Sequence, residues 1–591
     1  MEHKYNMLVS VLDKLRTEAP ASYKTYRPRP EESEAVQHAR SLAFIHLLLK
    51  VKFGLSDFLT RHQQITDGPQ DGGVDAFHLD HERKKLYIIQ AKFRNTTKNF
   101  ANKSMEAEEL IKMEVARITK GYDTDSNSDK FNDKILALQR TLREIRDIAK
   151  YDYIVLLLGN VYKFNDEQIR RLIDNAHYEI YDADKAYERL VFPLSTGTYY
   201  DPEEIVITIE LAEKEHPRLK QTVDTEFGQF NVTAIFVPTV EVGRILSRYK
   251  NAILKYNPRN FLSLQKKSVN ENIRTSITDH EKNNFAILNN GITILSDNVS
   301  ISESTGKQNE GQLILTRPQI LNGGQTAYTL STIYDEYEKK PTNPLKGKEV
   351  LLKIVTPIRD SEGVDSKFIE LISNATNQQN EVSEADRRSN HDIQIELQKR
   401  LYNDYGYLYE RKAGEFHDGI QNSFVDKKLV IDRFKFIKAY WAFKGEPAAA
   451  RRTSEKVVFK EETFYRILHD LSAYHEMFFS YLIFNELEHL EGGFKKKSDS
   501  TDTYGYGLLY GKWAVVASIG LSKPPIKIAS TEIFQQAKEI VAVRLENWKV
   551  FDQFAEAKRT DTKYFRSGRK NFELYYKVDL LGEDLKEFFL Q

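Results

Sequence analysis

The segment Asp71-Gly-Gly-Val-Asp75-Ala-Phe77, followed after one hairpin by the apolar run Leu86 to Phe93, constrains the first third of this chain more than any other feature. Adjacent glycines mark a tight turn. Leu86 to Phe93 reads as a strand; because side chains alternate faces along a strand, Gln90 and Lys92 project to one side, and Asp75 can lie beside them. Cutting a phosphodiester calls for a hard cation held by oxygen atoms, and for a lysine that holds the attacking water and offsets developing charge. Asp75, Gln90 and Lys92 are the residue types for that task. The structural alternative is a plain hairpin whose second strand runs out to solvent. His78-Leu79-Asp80-His81, between the two halves, reads as a solvated turn rather than a zinc site.

An acid, one hairpin, then Gln90-Ala91-Lys92, with Gly72-Gly73-Val74-Asp75 ahead, resembles the restriction-endonuclease-like superfamily. It is most similar to the Mrr-like branch, in which glutamine replaces the second acid. The resemblance implies an α/β sandwich that cleaves nucleic acid with Mg or Mn, and a compensating acid on the preceding helix. Glu31 to Lys50 sets Glu31, Ala35, His38, Leu42, Ile45 and Leu49 on one helical stripe with Glu34 at its border, so Glu34 is the expected acid and Glu31 the alternative. On this reading Asp75 and Glu34 hold the metal with the Ala91 carbonyl, Lys92 orients water and Gln90 positions it.

Composition removes other chemistries. The chain has no cysteine, which excludes disulfides, zinc ribbons, thiol nucleophiles and iron–sulfur clusters. Charges balance at 86 against 86, so contact with nucleic acid depends on local patches such as Lys266-Lys267, Arg387-Arg388, Arg451-Arg452, Lys495 to Lys497 and Arg566 to Lys570. No run reaches the length of an apolar membrane span and the first twenty residues lack a signal-peptide core, so the chain reads as cytoplasmic. Its 32 tyrosines and 33 phenylalanines supply core-forming surface and argue against extensive disorder.

At 591 residues the chain needs several cores. The expected class is α/β: a sandwich over residues 1–222, a central α/β region over 223–480 and a mainly helical region over 481–591. In the first part a polar helix is expected over Lys103 to Lys120, another near Lys134 to Lys150, a buried strand at Tyr153 to Gly159, and a helix after the N-cap Asn165. Glu204 to Leu211 is read as its last strand. Later helices are expected at Ile393 to Tyr402, Val430 to Phe443, Phe459 to Phe484, Tyr506 to Ile519 and Thr531 to Phe554.

Three polar motifs punctuate the middle: Asn289-Asn290-Gly291-Ile292-Thr293, Leu321-Asn322-Gly323-Gly324-Gln325-Thr326, and Asn374-Ala375-Thr376-Asn377-Gln378-Gln379-Asn380. With Phe285, Pro318-Gln319-Ile320 and Tyr409-Glu410-Arg411-Lys412 as flanks, they resemble the AIPR family of abortive-infection phage-resistance proteins over roughly residues 228 to 480. Glycines after a strand let backbone N–H groups approach an anion, and Gln325-Thr326 can open a helix whose N-terminus favours phosphate. Neutral amides read base edges or bridge backbones but are no general bases near neutral pH. Asn289, Asn290, Gly291, Asn322, Gly323, Gly324, Gln325, Thr326, Asn374, Asn377 and Gln378 are thus candidate nucleic-acid or nucleotide contacts, with turn building and helix capping as the plain alternative.

The AIPR resemblance alone implies an anti-phage effector, and with the other readings the expectation is a metal-dependent endonuclease acting on DNA, regulated by its AIPR region and working as a homo-oligomer, a dimer being favoured. The alternatives are an RNase or single-strand nuclease with the same site, and a non-catalytic binding or assembly protein with a decayed one.

Overall fold

Side chains that alternate between two helical layers build the first sheet. The computed structural model describes residues 2–81, 83–200, 202–211, 218–258, 267–279, 281–338, 340–358, 368–369, 371–372, 383–566 and 570–590. Its first elements are α1 (Glu2–Thr17), α2 (Ser33–Phe53), α3 (Phe58–His62), β1 (Ala76–Asp80), β2 (Lys85–Ala91), α4 (Thr97–Asn102), α5 (Ala107–Ile111), α6 (Val115–Thr119), α7 (Asp133–Glu144), β3 (Asp152–Leu158), α8 (Asp166–Leu172) and β4 (His177–Tyr181). The strands lie in the order β1-β2-β3-β4. β1 and β2 form an antiparallel hairpin with Ala76 opposite Ile89, whereas β2, β3 and β4 run parallel.

Leu86, Ile88, Val155 and Leu157 point to one face and are buried against Ile135, Leu138 and Leu142 of α7 and Ile169 of α8. Full burial of each such side chain is worth about 1.5–3 kcal/mol. On the other face Tyr87 meets Phe53 of α2 with ring centroids 4.8 Å apart. Asn165 caps α8 as expected, its side chain accepting from the Gln168 N–H at 2.9 Å. The polar helix expected over Lys103 to Lys120 is instead two short helices, α5 and α6. The cause is a contact from outside the segment: the Glu114 N–H donates to the Gly72 carbonyl at 2.8 Å, which interrupts the helical ladder. His78 to Asp80 belong to β1 rather than to a turn, and the His78 ring stacks on Phe53 at 4.1 Å.

After α9 (Ala183–Ala186) and α10 (Phe192–Thr196) come β5 (Glu204–Glu210), β6 (Arg218–Thr225), β7 (Gly228–Pro238), α11 (Thr239–Tyr249), α12 (Lys267–Thr278), α13 (Phe285–Leu288), β8 (Ile292–Leu295), β9 (Asn298–Ser302), β10 (Glu310–Thr316), β11 (Gln319–Asn322), α14 (Gly324–Tyr337) and β12 (Glu349–Pro357). They form a five-stranded sheet, β11-β8-β12-β7-β6, and a three-stranded one, β5-β10-β9. The strand read as closing the first domain, β5, pairs antiparallel with β10, from Glu204 opposite Thr316 to Glu210 opposite Glu310. Ile205, Ile207 and Ile209 thereby enter a core with Leu313, Leu315 and Leu352.

Glu2–Asp360 with Phe416–Lys427 make one compact unit, and Ser361–Glu415 with Lys428–Gln591 make the other. The second unit is mainly helical, with helices at Asp392–Tyr405, Arg433–Phe443, Glu461–Leu468, Tyr474–Gly492, Lys512–Leu521, Ser530–Glu546 and Trp548–Lys558. A short parallel pair, β13 (Leu408–Glu410) and β14 (Val430–Asp432), precedes the Arg433–Phe443 helix, so the start of the helix expected from Val430 is a strand. The helix expected from Tyr506 begins only at Lys512, because Gly507 and Gly511 lie against the rings of Trp548 and Tyr576, where an added Cβ would come within 2.6 and 2.9 Å.

Asp552 is buried at that junction and accepts from the Tyr576 hydroxyl and, at 2.6 Å, from the Tyr506 N–H. Burial pushes its carboxyl up to about 7 against the pull of those two donors. A folded-state value above the unfolded one gives stability that is complete below the ordinary carboxylate range and is lost as pH rises through about 7. Chemical denaturation of the wild type is therefore expected to show stability falling by a few kcal/mol between pH 5 and 8, and Asp552→Asn is expected to flatten that slope. An unchanged slope in the variant would remove Asp552 as its source.

Candidate active site

The two glycines of the opening motif are both needed for their backbone. Gly72 and Gly73 have φ of 62° and 67°, and a Cβ on Gly73 would come 2.6 Å from the Lys112 carbonyl. The turn they form is held by Asn132, the N-cap of α7, whose Nδ2 donates to the Thr66 carbonyl at 3.1 Å. Asp71 Oδ2 and Oδ1 accept from the Gly68 and Gly73 N–H groups at 3.1 and 2.9 Å. The Asp75 carbonyl receives the Thr66 and Asp67 N–H groups at 2.9 and 3.0 Å, and the Asp75 N–H donates to Ile89 on β2 at 2.9 Å. This loop brings one carboxylate oxygen each from Asp67, Asp71 and Asp75 within 4.8 Å of one another.

Asp75 sits at the head of β1 and its Oδ2 accepts from the Ala91 N–H at 2.6 Å, so the aspartate and the end of β2 meet as expected. Ala91 thus reaches Asp75 through its N–H. Gln90 and Lys92 both reach α5: the Gln90 Nε2 donates to the Glu109 carbonyl at 2.9 Å, and the Lys92 Nζ lies 2.6 Å from Glu109 Oε1. Arg94 comes within 3.8 Å of the other Glu109 oxygen. Burial raises the Glu109 carboxyl, but the Lys92 ammonium, the Glu106 N–H and Arg94 outweigh it and hold it below the usual range. The Gln90 Oε1 is buried and has no partner among the described residues.

Glu34 is not part of this cluster. It lies exposed in the first turn of α2, whose buried residues begin only at Ala39, and Glu31 precedes the helix and is exposed too. Asp67 and Asp71 stand beside Asp75 instead. Asp71 was within the motif but carried no periodic signal as a ligand, and Asp67 precedes Gly68-Pro69, which reads only as a turn. Glu109 is the third residue missed. Its one local mark is the capping box it forms with Glu106, which says nothing about the lysine it meets.

Burial pushes the Asp75 carboxyl up to about 8, with Asp67 and Asp71 adding to the rise and the Ala91 N–H and Lys92 opposing it. Three gathered carboxylates form a hard-oxygen donor set that fits Mg or Mn, since a divalent charge beside Asp75 favours its ionised form against the burial and neighbouring acids that raise it. Adding Mg or Mn at pH 8 is expected to raise the melting temperature by about 5 °C at saturating concentration, and Asp75→Asn to abolish the rise. Calorimetry that shows the same rise in both proteins would place the cation elsewhere.

The second constellation is a pair of turns. Gly291 and Gly323 have φ of 79° and 81°, and a Cβ on Gly323 would come 2.7 Å from the Gly291 carbonyl. Asn289 Oδ1 accepts from the Gly291 N–H at 2.9 Å while its Nδ2 donates to Thr326 Oγ1 at 3.1 Å; Asn322 Oδ1 accepts from the Gly323 N–H at 2.7 Å. Both asparagines therefore build the turns. Asn290 is exposed, and the Gln325 Nε2 is buried in the first turn of α14 with no partner among the described residues. The helix starts at Gly324, one residue ahead of the expected Gln325-Thr326 opening, and Gly323 caps it with no side-chain bond. Asn374, Asn377 and Gln378 lie outside the described residues.

A family model described as AIPR protein matches residues 254–549, half of the chain. The chain belongs to the AIPR family. The match starts and ends later than the span read from the motifs, and it runs through the helices up to Trp548. AIPR membership points to abortive infection and defence against phage. No curated protein and no solved structure matches the chain. Among the described residues of this AIPR protein no helix is long and apolar enough to cross a membrane.

Proposed function

We propose that the N-terminal part of this AIPR protein is a restriction-endonuclease-like domain of the Mrr-like type, a Mg- or Mn-dependent endonuclease acting on DNA, and that the AIPR region restrains it until infection. The observation that carries the reading is the meeting of Asp75, in its carboxylate cluster, with the end of β2 that bears Gln90 and the Glu109-bound Lys92. When bound, Mg or Mn supplies the charge that polarises a phosphate and acidifies a water.

The protein's own groups do the rest. Asp67, Asp71 and Asp75 would hold the metal. Lys92, kept in place by Glu109, holds the attacking water and offsets the charge that develops on the phosphate. Gln90 is anchored through its Nε2, which leaves its Oε1 to accept a hydrogen bond from that water. In the AIPR region the first turn of α14, with Asn290 and Gln325, is the place for a nucleic-acid phosphate. Cutting both strands with one site per chain calls for two copies, a dimer by preference.

The test is digestion of supercoiled plasmid, single-stranded DNA and RNA side by side, with Mg, Mn or EDTA. Cleavage of plasmid with either metal and none in EDTA is the expected result. Digestion of RNA or single strands alone would change the substrate, and no cleavage of any would leave a binding protein. Glu109→Ala is expected to slow cleavage by about 10–100-fold, because Lys92 loses its anchor, while Glu34→Ala leaves the rate within about twofold. The opposite ranking would return the site to α2.

A further inference from the structure

A cleft of about 510 Å³ opens in the first unit between the C-terminal end of α2, the segment after β4 and the residues that lead into β5 and β11. Neither the nuclease reading nor the AIPR motifs use it. Its volume is that of small-molecule sites, which run from about 300 to 1,000 Å³. Six cationic side chains and three carboxylates line it. Glu179 is shared between Lys52 and Lys185, each 2.8 Å away, so one carboxylate faces two ammonium groups. Both ammonium groups also lie over the Tyr181 ring, at 5.3 and 4.4 Å. Arg83 reaches its carboxylate, Asp80, only at 3.6 Å. Arg189 is exposed and has no ionic partner among the described residues.

Two non-glycine residues on the wall, Tyr200 and Arg317, hold left-handed backbones with φ of 62° and 45°. Such conformations cost of order 1–3 kcal/mol each and gather at ligand sites. Tyr200 sets its ring over Gly54, where a Cβ would come within 2.5 Å, and Arg317 lines the same cleft. Tyrosine and threonine hydroxyls, with Glu188 and Glu203, add groups that can bond the sugar and ring of a ligand whose phosphates meet the cations.

We propose that this cleft binds an organic phosphate of nucleotide size, with Arg189, Lys185 and Lys52 meeting the phosphates. The test is isothermal titration of the full chain in EDTA, which keeps the metal centre silent, with ATP, AMP, inorganic phosphate and adenosine as probes. ATP or AMP is expected to bind at least tenfold more tightly than inorganic phosphate, with adenosine weaker still. Arg189→Glu is expected to weaken nucleotide binding by tenfold or more, and Lys92→Ala to leave it unchanged. Binding of inorganic phosphate as tight as that of ATP would show that the cleft selects only charge, and would overturn the proposal. So would binding that survives Arg189→Glu, binding lost in Lys92→Ala, or no nucleotide binding at all. None of these outcomes touches the nuclease reading, whose assay is run with metal.

Discussion

Lys92→Ala is expected to lower the rate of metal-dependent plasmid cleavage by about 10³-fold while leaving the fold intact. Removing one preorganised donor of this kind costs about 10²–10³ in rate, and Lys92 is asked both to place the water and to offset charge on the phosphate. The side chain is partly exposed and, among the described residues, pairs with Glu109, so its loss opens no cavity in the sheet. Melting temperature should therefore move little. Lys92→Arg should not rescue the rate, because a broad planar guanidinium cannot replace a compact ammonium at 2.6 Å from Glu109. Cleavage by Lys92→Ala at the wild-type rate would exclude the site.

Arg433→Ala is expected to destabilise the second unit by about 3–5 kcal/mol, which is about 10 °C in melting temperature. Its guanidinium is buried, lies 2.8 Å from Asp386 and 3.3 Å from Glu455, donates to the Arg411 carbonyl and covers the Phe459 ring at 5.4 Å. Removing it leaves the Arg411 carbonyl and Asp386 short of a donor, while the more exposed Glu455 turns to solvent. Arg433→Lys is expected to recover only part of the loss, since one ammonium cannot reach all three. The same network explains Tyr409-Glu410-Arg411-Lys412, where Arg411 pairs with Glu415 at 2.9 Å and the Tyr409 hydroxyl donates to Gln394 at 2.6 Å. A melting temperature within 3 °C of wild type for Arg433→Ala would show that these bonds add nothing net to the fold.

What could be read from the residues was what depends on near neighbours. Apolar runs placed β2 and β3, helical spacing placed α2 and α7, and Asn165 was a cap by its type alone. The meeting of Asp75 with the end of β2 followed from one hairpin. Features that depend on distant chain were hidden. Glu109 faces Lys92 because α5 folds back on the end of β2, and the split between α5 and α6 needed Gly72 to take a helical N–H. Glu34 carried the right charge on the right helix, yet the helix begins in solvent and its first turn stays there. Alternation also found β5 as a strand but could not say whose sheet it joins.

That last pairing shapes how the chain is made. On a ribosome β5 is translated about 100 residues before β10, a wait of roughly 5–20 s at ordinary elongation speed. Through that interval Ile205, Ile207 and Ile209 line a nascent strand with nothing to pair with. Fragments that stop near residue 222 freeze the chain at that stage, and are expected to go into inclusion bodies, whereas fragments carried past β12 give the stripe its mate.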